Sequence, residues 1–192
     1  MHHPLPPLGS RALSTLHAGG LVLLPTTNLW QLTAHVGKAA AINKLLQTCP
    51  QNIAGRPELV FADRETLWEW CPSIPPKLDT LLEYHKRPLT IISPAGRKVP
   101  LRLVDQRGEV AVRLAGDSFC YRLCEDIEAP LVSCLAMGPG AKEFPTSFGK
   151  IRSDVLQAAT YTVMRRQREV IAPQPTVTAR LKEDGELEFL RP

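Results

Sequence analysis

Gly20-Leu21-Val22-Leu23-Leu24-Pro25-Thr26-Thr27-Asn28-Leu29-Trp30-Gln31-Leu32 is the stretch on which the fold turns. Leu21–Leu24 is an unbroken apolar run, the pattern of a strand covered on both faces rather than one. Pro25 has no amide hydrogen to continue a ladder and closes the strand. Thr26-Thr27-Asn28 follows as a polar turn. Upstream, Ser10 is placed to cap a helix over Arg11–Ala18 that Gly19-Gly20 ends. Residues 1–9, rich in Pro and His, read as a loose arm.

Working outward, Ala39–Thr48 carries Ala41, Ile42, Leu45 and Leu46 at helical spacing, and Pro50 lies just past its end. Gln51–Pro57 reads as a loop and Leu59–Phe61 as a strand. Arg64–Trp70, capped by Asp63, and Pro76–Tyr84 read as helices. Leu89–Ser93, Val110–Leu114 and Leu131–Leu135 read as strands, with a helix over Ser118–Ile127 capped by Asp117. Thr146–Ala158 has the composition of another helix. Tyr161–Met164, Val177–Leu181 and Leu187–Leu190 read as strands, the last two joined at Glu183-Asp184-Gly185. Strands and helices mix without strict alternation. That pattern predicts an α/β protein with a mixed sheet and flanking helices, not a doubly wound parallel one. Neither a linker nor a repeat is visible, so a single domain over 1–192 is expected.

The chain has 192 residues, 44% hydrophobic and 22% charged, with a formal net charge of +4. This is an ordinary composition for a globular protein, and the mild positive charge permits contact with phosphates without requiring it. The apolar runs are too short to span a bilayer, and the N-terminus lacks the pattern of a signal peptide. Cys49, Cys71, Cys120, Cys124 and Cys134 form no C-x-x-C pair, so they are read as buried free thiols and no metal site is expected. A reducing cytoplasm fits them.

Phosphate-loop, dinucleotide, nucleophile-elbow and zincin motifs are all absent. Lys86-Arg87, after His85, and the run Arg165-Arg166-Gln167-Arg168 are the basic clusters. Either can contact RNA phosphates or be a solvated edge. Trp68 and Trp70 are read as packing residues rather than base-stacking platforms.

Six segments in order resemble the YrdC-like family, the threonylcarbamoyl-adenylate synthases. Gly20–Leu32 looks like its strand and Pro-Thr-(Asp/Glu)-Thr-Val-Tyr-Gly-Leu turn, and Ala39–Thr48 like the helix that follows. Pro88-Leu89-Thr90-Ile91-Ile92 is similar to its Gly-Pro-Leu-Thr strand and Val110-Ala111-Val112-Arg113 to its Val-Ala-Val-Arg strand. Pro130-Leu131-Val132-Ser133 matches the start of Pro-Leu-Val-Ser-Thr-Ser-Ala-Asn. Pro175-Thr176-Val177 looks like its Pro-Ser-Thr-(Ile/Val) loop. The resemblance implies a twisted mixed sheet with flanking helices and a concave basic face. It also implies a reaction of ATP (with Mg) with L-threonine and bicarbonate, giving threonylcarbamoyl-adenylate and pyrophosphate for tRNA modification. Double-stranded RNA is a further implied partner.

Carried over residue by residue, the resemblance gives Thr26, Asn28, Arg56, Arg113, Ser133, Ala136 and Thr176 as nucleotide- and substrate-binding positions. Arg113 matches the arginine that holds the substrate carboxylate, and its other reading is a structural salt bridge. The family's Lys-x-Arg pair falls on Cys49 and Gln51 if the helix is aligned without gaps. It falls on Ala54 and Arg56 if Gly55-Arg56-Pro57 is used, and either way the lysine is missing. Arg56, Lys86 and Arg87 are the candidate substitutes. The Ser-x-Asn pair falls on Leu135 and Met137, and Trp30 replaces a tyrosine.

Three functions are therefore expected. The first is a divergent member that binds a nucleotide, tRNA or double-stranded RNA, with Lys86, Arg87, Arg165, Arg166 and Arg168 as RNA contacts. The second is an active synthase. The third is a protein-interaction module using an apolar cleft at Leu135–Met137.

Overall fold

A computed structural model describes residues 7–50, 55–170 and 176–191. Among them are six helices: α1 (Pro7–His17), α2 (Ala39–Thr48), α3 (Arg64–Trp70), α4 (Pro76–Tyr84), α5 (Ser118–Ile127) and α6 (Ser153–Ala158). The strands are β1 (Val22–Pro25), β2 (Trp30–His35), β3 (Glu58–Phe61), β4 (Leu89–Pro94), β5 (Glu109–Leu114), β6 (Leu131–Leu135), β7 (Tyr161–Thr162), β8 (Val177–Leu181) and β9 (Leu187–Arg191). They form one sheet in the order β7-β1-β2-β6-β3-β5-β4-β8-β9. The β1–β7, β3–β5 and β4–β8 pairs are parallel and the other five antiparallel. The expected mixed sheet is therefore present.

Side chains alternate across this sheet, and the alternation sorts the chain into two faces. Leu21 just before β1, Leu23 of β1, Leu32 of β2, Leu59 and Phe61 of β3, Ile91 of β4, Val112 of β5 and Val132 of β6 point to one face. There they pack with Ile42, Leu45, Leu67, Leu78 and Val155 from α2, α3, α4 and α6. On the opposite face Val22, Leu24, Val60 and Leu131 are covered by Ala12 and Leu16 of α1 and Phe119, Leu123 and Ile127 of α5. Two-sided burial explains why Leu21–Leu24 is apolar throughout. The rest of that second face carries polar residues together with Ile92 and Ala111.

Local signals account for most boundaries. The Asp117 carboxylate accepts from the amides of Phe119 (3.1 Å) and Cys120 (3.0 Å) and starts α5. Glu128, in the left-handed region at φ 54°, ends it. Asp63 caps α3 by accepting from Thr66 N–H at 2.7 Å. Three expectations need correction. The first helix begins at Pro7, so Ser10 lies inside α1 and is not its cap. Thr146–Ala158 is not one helix: a 3-10 turn covers Phe148–Lys150 and α6 only Ser153–Ala158. Beside Pro145 and Gly149 the segment lacks continuous helix-forming residues. A strand not expected from the sequence, β2, covers Trp30–His35, where Trp30, Leu32 and Ala34 alternate with Gln31, Thr33 and His35. All five cysteines are free and buried, as expected.

Candidate functional site

The polar half of the second face carries a continuous belt of hydrogen-bonded side chains drawn from six strands and the residue before β8. Gln31 and Thr33 on β2 stand beside Ser133 on β6, which pairs with β3 at Glu58. Ser133 Oγ donates to Gln31 Oε1 at 2.5 Å and lies 3.3 Å from Thr33 Oγ1. Arg113 Nη2 donates to the same Gln31 oxygen at 2.8 Å. Arg113 Nε lies 2.9 Å from Glu58 Oε2, an ion pair rather than an aligned hydrogen bond. Glu58 Oε1 accepts from Thr90 at 2.8 Å and from Thr176 at 3.2 Å. Arg191 donates through Nη2 to Thr176 Oγ1 and through Nε to Thr176 O, both at 2.8 Å. Burial lowers the Arg191 pKa, an effect that Glu58 partly opposes.

Arg113 is 2% exposed. A guanidinium at that depth needs partners, and β2 supplies Gln31 and β3 supplies Glu58. A cavity of about 470 Å³ opens above the belt, lined by Arg56, Glu58, Thr90, Ile92, Thr178 and Arg191 among others. Arg56 also pairs with Asp105 at 2.6 Å. Guanidinium forks facing a cavity of this size suit the oxygens of a phosphate or carboxylate.

The turn between β1 and β2 is locked from within. Thr26 Oγ1 donates to the Leu29 carbonyl at 2.8 Å and sits 3.0 Å from Asn28 Oδ1. Thr26 and Asn28 are both buried, so each acts first as a turn residue. Thr27 stands close against Gly116: a Cβ there would meet the Thr27 hydroxyl at 2.7 Å. Ala136 is buried and donates its N–H to Trp30 O at 3.0 Å. Trp30 is fully buried, 5.3 Å ring to ring from Phe148, and so serves the core.

Of the positions expected to carry the family's two polar pairs, Cys49, Leu135 and Met137 hold apolar or thiol side chains. Met137 is 2% exposed, and Cys49, also buried, makes a hydrogen bond with its backbone. Burial pushes the Cys49 thiol up to about 12. Gln51 and Ala54 lie outside the described residues, as does Pro175 of the last loop. Neither Leu135 nor Met137 offers a hydrogen-bonding side chain, so this corner supplies packing.

The basic residues are divided among three places. Lys86 and Arg87 are exposed and line a separate hollow of about 200 Å³ with Thr27, His85 and Gly116. That hollow has no lining residue in common with the cavity at Arg56. Arg165 stacks on the Phe119 ring at 5.0 Å. Arg166 pairs with Glu169 at 2.6 Å and donates to the Thr26 carbonyl at 2.9 Å, so it braces the β1–β2 turn. Arg168 is exposed. Trp70 packs edge-on to Phe61, whereas Trp68 is partly exposed under Arg64. Glu58, Gln31 and Arg191 were not foreseen as site residues. The period-2 placement of Gln31 and Thr33 was the available signal.

A twisted mixed sheet with helices over one face, and with helices over part of the other beside a polar cavity, defines the class of fold. A family model described as "Telomere recombination", the Sua5/YciO/YrdC model, matches residues 14–192. The chain belongs to the Sua5/YciO/YrdC family. A protein of Halorhodospira halophila named threonylcarbamoyl-AMP synthase is 28% identical over 158 residues, 76% of this chain and 80% of the relative. One of the same name from Stenotrophomonas maltophilia is 29% identical over 133 residues, covering 65% of this chain and 69% of that one. In fold, the crystal structure of E. coli YciO superposes with a TM-score of 0.85 at 18% identity, covering 98% of this chain and 90% of that one. Sua5 of P. abyssi in complex with L-threonine gives 0.79 at 22% identity, covering 96% of this chain and 53% of that one.

Proposed function

We propose that this chain is a threonylcarbamoyl-AMP synthase-type enzyme that works slowly, taking ATP with its Mg²⁺, L-threonine and bicarbonate as substrates at the polar face. The observation that carries this reading is the shared name of relatives that match most of their own length. The binding positions in this reading are Thr26, Asn28, Arg56, Arg113, Ser133, Ala136 and Thr176.

The chemistry brings anions together, so it needs fixed cationic donors where charge develops. Of the three candidate substitutes for the missing lysine, Arg56 lines this cavity, beside Arg191, whereas Lys86 and Arg87 line a different hollow. Cys49, Leu135 and Met137 supply no donor side chain for phosphate oxygens. Losing one such donor costs roughly 10²–10³ in rate, and losses within one site do not add simply. Slow turnover follows. Pyrophosphate release that depends on both threonine and bicarbonate tests the reading, and a flat background at high enzyme concentration removes it.

The apolar corner at Cys49 and Met137 favours a second reading, a nucleotide, tRNA or double-stranded RNA binder without turnover. Calorimetry with ATP and with tRNA tests it, and binding without pyrophosphate release is its signature. Lys86, Arg87 and Arg168 are the RNA contacts in that reading, since Arg165 lies over the Phe119 ring and Arg166 is held by Glu169 and the Thr26 carbonyl. The interaction-module reading has less support, because Met137 is buried and offers no docking surface. We take the chain as a single domain acting in the cytoplasm. No helix among the described residues is long and apolar enough to cross a membrane.

A further inference from the structure

We infer that Asp105 is a positioning residue: it holds the Arg56 guanidinium at the cavity so that the donors left over serve a phosphate bound there. Arg56 stands between two residues that restrict the backbone. Gly55 takes a left-handed φ of 89°, and Pro57 keeps the residue before it out of the helical region. The long side chain has no such restraint of its own. Its rotamer freedom must be lost before the planar fork can act as a fixed donor. The neighbouring arginines each have partners that do this. Thr176 holds Arg191, and Gln31 and Glu58 hold Arg113. For Arg56 the partner among the described residues is Asp105, with Nη1 and Oδ2 2.6 Å apart.

Asp105 is itself anchored by backbone. Its Oδ1 accepts from the amides of Arg107 at 2.8 Å and Glu109 at 2.9 Å. Its own N–H donates to the Glu109 carbonyl at 2.9 Å, and its carbonyl accepts from Gly108 N–H at 3.0 Å. These bonds fix the carboxylate without help from Arg56 and leave Oδ2 for the guanidinium. Burial raises the Asp105 pKa, but the amides of Glu109 and Arg107, together with Arg56, outweigh it and hold the carboxyl below its ordinary value. Arg56 lines the 470 Å³ cavity and Asp105 does not. Asp105 therefore acts on a ligand through Arg56 and not by touching it. Both side chains are partly exposed, and an ion pair of that kind adds little to stability. What it supplies is order. One nitrogen of the fork is tied down, and the other donors are available to an oxyanion in the cavity.

This inference rests on the proposed reading in taking a phosphate oxyanion as the ligand of the cavity. Its test measures the binding of inorganic pyrophosphate by calorimetry to wild type, Arg56→Ala, Asp105→Asn and the double variant. Asp105→Asn keeps the oxygen that accepts from the two amides and turns a donor toward Arg56. Arg56→Ala is expected to weaken binding at least about tenfold, the size of one charge-assisted hydrogen bond. Asp105→Asn alone is expected to weaken it at least about fivefold, and to change it less than about twofold when Arg56 is already alanine. Loss of a nearby negative charge by itself would tighten an anion, so the sign separates positioning from field. A structural role alone would give the same loss in both backgrounds. Should Asp105→Asn not fold, Asp105→Glu carries the test: it keeps the charge, displaces it by a methylene, and the same Arg56-dependent loss is expected. A smaller loss in the folded variant, an equal loss in both backgrounds, an Arg56→Ala protein that binds like wild type, or a wild type that does not bind pyrophosphate overturns the inference. Pyrophosphate release by wild type is scored separately. Release with no Arg56-dependent loss sinks the positioning role alone, and such a loss with no release sinks the synthase reading alone.

Discussion

Replacing Arg113 by Met should unfold the chain more readily by an amount the belt itself sets. Removing one partner of a buried ion pair costs about 3–5 kcal/mol, because the other charge is left uncompensated. Here Glu58 keeps the Thr90 and Thr176 hydroxyls on one oxygen and Arg191 at 4.0 Å, so the lower end applies. A loss of about 3 kcal/mol corresponds to a fall of roughly 6–12 °C in thermal midpoint for a chain of this length. Glu58→Gln alone should cost about 2 kcal/mol, since Arg113 keeps its bond to Gln31 but loses its counter-charge. The double variant Arg113→Met/Glu58→Gln removes both charges. It should return to within about 1 kcal/mol of wild type. Urea denaturation of the four proteins, compared at equal m, measures the coupling. A coupling of at least about 2 kcal/mol is expected. If the double variant equals the sum of the singles within about 0.5 kcal/mol, Arg113 and Glu58 do not act as a pair and the belt is misread.

Further outcomes follow from burial and charge. With Cys49 and Cys124 pushed up to about 12 and all five thiols buried, the native protein should resist a thiol reagent at pH 8 and react at five sites in denaturant. Rapid labelling of the folded chain would contradict this. Burial, then His17 and Lys38, holds His35 below its ordinary 6.5, and its Nδ1 accepts from Gly37 N–H at 2.9 Å. The unfolded chain takes up that proton more readily. The His35 contribution is therefore complete above pH 6.5 and lost as pH falls through the lowered folded value. His35→Gln should flatten the acid limb of stability, and an unchanged limb refutes this. If RNA is bound at the second hollow, Lys86→Glu/Arg87→Glu should weaken tRNA binding. It should also reduce the salt-dependence slope by about two.

The elements legible in the sequence are those with a local cause. Asp63 and Asp117 announce α3 and α5, Pro76 sits in the first turn of α4, and the apolar spacing of Ala39–Thr48 marks α2. β2 escaped because its polar members, Gln31 and Thr33, are buried on the cavity face and resemble turn continuation when read alone. The site was legible only in part for the same reason. Arg113, Ser133 and Thr176 were placed by resemblance. What binds them is Glu58, 55 residues from Arg113 and 118 from Thr176, and Gln31, 82 from Arg113. Pairings of that range are set by strand order, and strand order is not written in any one segment. The separation of Lys86 and Arg87 from Arg56 has the same origin: β3 and β4 are separated by β5, and the two basic segments meet different hollows.

The most direct test of the account is pyrophosphate release from ATP by the purified chain, with L-threonine and bicarbonate each supplied or withheld. The account predicts slow release that needs both and falls further in Arg56→Ala. Release that is absent at high enzyme concentration, or indifferent to threonine and bicarbonate, would contradict it.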